Sequence, residues 1–253
     1  MKRLLKGIRN LIAFLTIIPV GMDPDCLMTA ANYMYLFPVV GAFIGLSAGI
    51  FAWLLLRVLP SLIVGMLTLG FLLLITGLHH TDGLLDFGDG VMFQGPPQKK
   101  IEIMHDQQTG AGGLALGLVT LLTTAFCIAE LDMGIVIRSL IVSEVSAKLA
   151  MVIVGWTGKS AHKGMNTYFV DAMHGRYRNL RLITTLIISF GLSILLLRVV
   201  GSIQVTVSLV TALIVVWVSN KHFKGVTGDV MGAANELARM VSLIFILAVV
   251  RWV

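Results

Sequence analysis

Apolar stretches long enough to cross a bilayer recur along this chain, and that recurrence limits its fold more than any single motif does. Residues 33–56, 61–78, 111–129, 134–156, 182–198 and 203–219 run mainly through aliphatic, aromatic and small residues. Roughly 20 such residues in a row span hydrocarbon as a helix. Only 13% of the residues are charged, where soluble domains carry about 25%. The expected fold is all-α: a polytopic membrane bundle of six to seven spans in one domain, residues 1–253, with short interfacial helices. The last apolar run, 240–250, is too short to span unless its helix continues from the polar segment before it.

Orientation follows from where the cations fall. Residues 1–18 carry Lys2, Arg3, Lys6 and Arg9 among large apolar residues, as in an amphipathic helix lying at the membrane surface. No small-residue cleavage site follows, so no cleaved signal peptide is expected. With this end in the cytoplasm and strict alternation, the inner segments are 1–19, 79–109, 157–181 and 220–239. They hold four, two, five and three of the 19 Lys and Arg residues. The outer connections hold only Arg57, Arg198 and Arg251, while Arg138 and Lys148 fall within a span. This matches the positive-inside rule and implies a multi-pass protein of the cell membrane. The net charge of +6 is therefore orientation signal, and no nucleic-acid partner is expected. Gly41, Gly45 and Gly49 form a small-residue stripe suited to close helix packing. The glycine-rich spans also permit contacts in a homo-oligomer. Cys26 and Cys127 have no disulfide or zinc spacing.

Acidic residues are scarce, and seven of the 13 fall in two inner segments. The first reads His79-His80-Thr81-Asp82-Gly83-Leu84-Leu85-Asp86-Phe87-Gly88-Asp89-Gly90 and extends to Glu102 and Asp106. On a helix, Asp82, Asp86 and Asp89 share one face. Their mutual repulsion asks for a cation between them, and a divalent ion held by oxygens is the simplest. A solvated acidic turn is the plainer explanation, given the glycines. Glu102 and Asp106 could likewise belong to a solvated interfacial helix beside Lys99 and Lys100. The second segment runs Lys221-His222-Phe223-Lys224-Gly225-Val226-Thr227-Gly228-Asp229 to Glu236. Thr227 or Asp229 can cap a helix, and the Gly225–Gly228 turn places backbone N–H groups where phosphate binds. Asp229 and Glu236 share a face two turns long.

Alternation puts both segments on the cytoplasmic side. Oxygen-rich sets without thiolates suit Mg²⁺ or Mn²⁺ rather than zinc, and Mg²⁺ is commonly shared with substrate phosphates. The residues thus point to a membrane-embedded, Mg²⁺-dependent transferase acting on a cytosolic phosphoanhydride. His79 and His80 stand at the mouth of such a site, as base, phosphate partner or interfacial hydrogen bonders. His105, His162, His174 and His222 show no ligand spacing.

The motifs, taken together, resemble the cobalamin 5′-phosphate synthase (adenosylcobinamide-GDP ribazoletransferase) family. They are Phe14-Leu15-Thr16 with Pro19; Phe37-Pro38-Val39-Val40-Gly41; Gly77-Leu78-His79 with Asp82-Gly83-Leu84, Asp86 and Asp89-Gly90; Ile103-Met104 with Asp106 and Gly110; and Thr227-Gly228-Asp229 with Gly232-Ala233 and Glu236. The resemblance implies transfer of the adenosylcobinamide phosphoryl group from adenosylcobinamide-GDP to α-ribazole or its 5′-phosphate, with release of GMP. It implies Mg²⁺ at Asp82, Asp86, Asp89 and Asp229, with Glu236 as a further candidate. Asp89, then Asp106, would take the proton of the attacking hydroxyl. Lys148, Lys221 and Lys224 would contact phosphate, together with Thr227 and Gly228. A CDP-alcohol phosphotransferase would also use aspartates and Mg²⁺, but continues from Asp-Gly to Ala-Arg where Leu84-Leu85 stands. A membrane prenyltransferase would open its first motif with Asn-Asp. A transporter would spread its charges through the spans near the midplane.

Overall fold

The computed structural model describes residues 2–21 and 24–250. Arg251 and the side chains of Lys2 and Arg3, all part of the expected orientation signal, lie outside this description. Among the described residues eleven α-helices follow in order: α1 (Lys2–Leu15), α2 (Cys26–Asn32), α3 (Phe37–Leu55), α4 (Ser61–Ile75), α5 (His79–Met92), α6 (Pro97–Met104), α7 (Ala111–Ala129), α8 (Val136–Thr157), α9 (Met165–His174), α10 (Arg178–Phe223) and α11 (Gly228–Val250). Among the described residues the only β pairing is a single bridge between Ser160 and Val226. Among the described residues Cys26 and Cys127 are buried and form no disulfide.

α10 has 46 residues and would be about 69 Å long if straight, against a hydrocarbon core of roughly 30 Å. It breaks at Arg198, whose φ is 52°. Its arms, 178–197 and 199–223, fold back on each other so closely that a side chain at Gly201 would collide with the Ser193 carbonyl. Met34–Leu55, Ala111–Ala129, α10 and Gly228–Val249 are each long and apolar enough to cross a membrane. α4 and α5 pass that test only as a pair bent by 96°.

α8 carries Glu144 and Lys148 yet is buried almost throughout, because it is the axis on which α3, α10 and α11 pack. The glycine stripe of α3 makes one of these contacts. A Cβ at Gly41 would come within 2.5 Å of the Glu144 carbonyl, and one at Gly49 within 2.8 Å of Ile137 Cα. The opposite face of α3 exposes Phe43, Leu46, Ile50 and Leu54, as a lipid-facing surface would. Helices α3 and α8 run antiparallel, as do α8 and α11. The ends of the bundle therefore sort as expected: α1, α2, α5, α6 and α9 gather at one end, and the connections holding Arg57, Glu130 and Arg198 at the other.

Two segments differ from the sequence reading. Residues 157–181 are not simply a polar loop, since α9 occupies their middle and buries Phe169, Val170 and Met173. Residues 228–239 are the first turns of α11 itself, the helical continuation that the last span needed for its length, and they are largely buried rather than at the surface. Arg239, counted above as an inner-surface cation, is fully buried in the bundle.

Candidate active site

A reversal at the end of α4 sets the site's main helix. Gly77 and Leu78 both take left-handed backbone angles, with φ of 65° and 63°. The Gly77 N–H donates to the Leu74 carbonyl and the Leu78 N–H to the Leu73 carbonyl, both at 3.0 Å. This Schellman closure ends α4 and turns the chain so that α5 lies across the end of the bundle. Glycines let α5 settle deeply there. A Cβ on Gly83 would stand 2.8 Å from Asp229 Cα, and one on Gly88 2.9 Å from Gly113 Cα. The far end of α5 is capped by Lys100, whose ammonium donates to the Gly90 and Val91 carbonyls at 3.3 Å and also to that of Phe93. A cation suits the negative end of a helix dipole.

The start of α11 is fixed just as firmly. The Val226 N–H donates to the Lys159 carbonyl at 2.7 Å, and the Ala161 N–H to the Val226 carbonyl at 3.0 Å. Asn166 of α9 donates to the same Val226 carbonyl at 2.9 Å. Thr227 then caps the helix: its Oγ1 accepts the Val230 N–H at 3.3 Å. Gly228 and Asp229 form the first turn, with N–H groups free of intrahelical partners, as every helix start has.

These two placements bring the acidic segments together. Asp82 is exposed, and Asp86 and Asp229 are half-buried. The Asp86 carboxyl is pushed up to about 7, chiefly by burial and then by the charges of Asp229, Asp82 and Asp89. Asp89 is buried against the start of α7. Its two oxygens accept the Gly110 N–H at 2.7 Å and the Gly113 N–H at 2.8 Å, so it caps α7 from a neighbouring helix. These bonds take one acceptor site on each oxygen and give Asp89 a structural role beside the expected one of metal ligand and proton acceptor. Asp82, Asp86 and Asp229 are hard oxygen donors crowded against like charge, and such a set fits Mg²⁺. Among the described residues no three His, Cys, Asp or Glu side chains enclose a cation by themselves. Mg²⁺ usually takes one or two carboxylates and completes its shell with water and substrate phosphates.

Cavities flank α5. One, of about 420 Å³, opens beside His79, His80, Asp82, Gly228 and Asp229 and runs back to Phe14, Phe169 and Met151. His79 is exposed at its rim. His80 is buried, its Nδ1 has no hydrogen-bond partner, and burial with the charges of Lys148 and Arg239 holds its pKa well below the usual imidazole range. The second cavity, about 340 Å³, is lined by Asp89, Asp106, Gln108 and Thr109. Asp106 is exposed, and its Oδ1 accepts the Gln108 N–H at 3.2 Å.

Other expected residues lie elsewhere. Glu236 and Lys148 do not reach the cavity. With Glu144, Asn235 and Arg239 they close a ring between α8 and α11, every member at most 1% exposed. Arg239 donates to both Glu144 and Glu236. Lys148 donates to Asn235 Oδ1 at 2.6 Å, Asn235 Nδ2 donates to Glu236 at 3.1 Å, and Lys148 Nζ lies 3.6 Å from Glu144. Buried ions persist where they are paired and hydrogen-bonded, and that is why Glu236 is corrected as a metal ligand and Lys148 as a phosphate contact. Lys221 and Lys224 are exposed and line neither cavity, and the Lys221 ammonium sits 5.5 Å from the Trp217 ring centroid. Glu102 pairs with Lys99 at 2.7 Å on an exposed helix face, the plainer of its two explanations.

Sequence reading missed the contribution of α9, although apolar residues at 165, 169, 170 and 173 have helical spacing. It also gave no weight to His105 beyond its lack of ligand spacing. That ring packs edge-to-face on His162 with centroids 5.1 Å apart and lies within electrostatic range of Asp229. Only the folding of α6 and the 158–164 loop brings these distant residues together.

Comparison with known proteins gives a consistent outcome. The family described as Cobalamin-5-phosphate synthase matches residues 7–247. A protein of Methanocella arvoryzae named adenosylcobinamide-GDP ribazoletransferase is 36% identical, over 95% of this chain and 94% of its own. Proteins of the same name are 33% identical in Methanococcoides burtonii, over 96% of this chain and 92% of theirs, and in Thermococcus kodakarensis, over 96% and 99%. No solved structure matches the chain.

Proposed function

Since the chain belongs to the cobalamin-5-phosphate synthase family, we propose that it transfers the adenosylcobinamide phosphoryl group of adenosylcobinamide-GDP to α-ribazole or its 5′-phosphate. The products are GMP and adenosylcobalamin or its 5′-phosphate, which completes the nucleotide loop. The observation that carries the reading is the contact of α5 with the first turn of α11, where Gly83 lets Asp82 and Asp86 stand against Asp229.

In this reading the donor's diphosphate lies at that contact, and the Gly228 N–H at the helix start receives a phosphate oxygen. Asp82, Asp86 and Asp229 would hold Mg²⁺, and the ion when bound would supply charge neutralisation for the leaving phosphate. The acceptor's hydroxyl oxygen forms its bond to the phosphorus nearer the cobinamide, the P–O bond to GMP breaks, and the hydroxyl proton passes to a carboxylate. Neutral His80 hydrogen-bonds to substrate without adding positive charge. The spans sit in the cell membrane with this end toward the cytoplasm, where the cations gather.

A transporter would use charges inside the spans, and the Glu144–Lys148–Glu236–Arg239 ring does lie there. That ring is charge-balanced and closed on itself, whereas Asp82, Asp86 and Asp229 stand together at one end of the bundle.

The test is GMP release from adenosylcobinamide-GDP by purified protein in liposomes, with and without α-ribazole and its 5′-phosphate. Release should require an acceptor and Mg²⁺. Asp82→Asn should abolish transfer while still folding into membranes. Wild-type turnover by that variant would remove Asp82 from the mechanism.

A further inference from the structure

The cavity beside Asp82 has two unlike ends. Toward α5 and α11 it presents Asp82, Asp229 and His80. Toward α1 and α9 it presents aromatic rings and thioethers. Phe14, Phe37 and Phe169, from three different helices, pack with centroids between 5.0 and 6.4 Å apart. Met151, Met165 and Met231 complete that end, and methionine adapts readily to a flat surface. A volume of about 420 Å³ is in the range that holds one small organic molecule.

The donor's parts match this end poorly. A corrin macrocycle with its amide side chains is far too large for the cavity. Guanine carries hydrogen-bonding groups along its edges that phenylalanine and methionine cannot meet, and burying them unpaired is costly. A bicyclic, mainly hydrocarbon base fits both the size and the lining. Its sugar would then lie at the polar end, where the buried His80 Nδ1 has no partner in the protein.

We infer that the Phe14–Phe169–Met151 wall receives the base of the acceptor, a flat apolar heteroaromatic bicycle, and that His80 hydrogen-bonds its ribose. The wall thus selects the acceptor and aims its hydroxyl at the acids. This assignment rests on the transfer reading above.

Two variants test it. Phe14→Leu removes a ring but stays apolar. Met165→Ser changes a residue that is 68% exposed, so folding is not at stake. Each should raise the KM for the dimethylbenzimidazole riboside, Phe14→Leu by about tenfold as loss of an aromatic stacking face does, with the donor KM little changed. Preference for that riboside over adenine riboside should fall in parallel. Binding of the fluorescent dimethylbenzimidazole riboside, measured without donor, should weaken by the same factor. His80→Ala should weaken it too, without altering the preference between bases. Unchanged acceptor KM and binding in both wall variants would overturn the assignment, as would a rise confined to the donor KM. If the wild type binds the riboside saturably at this wall but releases no GMP, the transfer reading fails while the base site stands.

Discussion

The contact of α5 with α11 yields a demanding test: Gly83→Ala adds one methyl where the two helices cross. The new carbon would lie 2.8 Å from Asp229 Cα and 3.0 Å from its carbonyl oxygen. Comfortable carbon contacts are about 3.5–4.0 Å. The partner atoms are backbone, so the two helices must separate by roughly 0.5–1 Å. Overpacking of this kind costs about 1–3 kcal/mol of stability. Its effect on turnover should be larger, because a misplacement of about 1 Å can cost on the order of 100-fold. Gly70→Ala is the matched control, since a Cβ there meets nothing within 4 Å and alanine favours a helix interior by about 0.5–1 kcal/mol. GMP release per folded molecule, measured beside thermal unfolding in the same detergent, separates the two effects. A Gly83→Ala protein that unfolds slightly earlier but turns over at the wild-type rate would refute the idea that catalysis needs Asp82, Asp86 and Asp229 in fixed register.

Three further outcomes are expected. Asp86 holds its proton up to about pH 7 when folded, against 3.8 for a free side chain, so the folded state binds that proton more tightly than the unfolded chain does. In EDTA, the stability that Asp86 contributes should therefore be full below about pH 4 and be lost as pH rises to about 7, and a thermal-unfolding series should lack that part of the pH dependence in Asp86→Asn. Arg239→Met removes the guanidinium that pairs with two buried carboxylates, Glu144 and Glu236, and should cost about 3–5 kcal/mol in a micellar unfolding assay, part of it recovered by adding Glu144→Leu. Asp89→Asn removes one of two acceptors at the start of α7. It should cost about 1–3 kcal/mol and speed hydrogen exchange at Gly110 and Gly113.

Much of the architecture was legible because lipid makes hydropathy a direct guide to spans and cation asymmetry a guide to their direction. The convergence of Asp82 and Asp86 with Asp229 was legible for the same reason: once both segments fall at one end, a small bundle leaves them little room to part. The roles of Asp89, Glu236 and Lys148 were not. An aspartate in an acidic row looks the same in sequence whether it faces a cation or another helix's amides, and only the crossing of α5 over α7 distinguishes the two. Glu236 and Lys148 lie 88 positions apart, and nothing local signals that antiparallel packing of α8 and α11 will pair them through Asn235. The aromatic wall is likewise assembled from α1, α3 and α9, whose contacts depend on the closed fold.

The most direct test of the metal site is a magnesium titration of GMP release in the wild type and in Asp82→Asn, Asp86→Asn and Asp229→Asn, each reconstituted in the same lipid. Transfer should stop in EDTA, and each substitution, from either helix, should raise the Mg²⁺ concentration for half-maximal rate by about tenfold or more, as loss of metal-site residues does elsewhere. Undiminished release in EDTA, or a half-saturation point that shifts with the α5 residues but not with Asp229, would contradict a cation shared between the two helices.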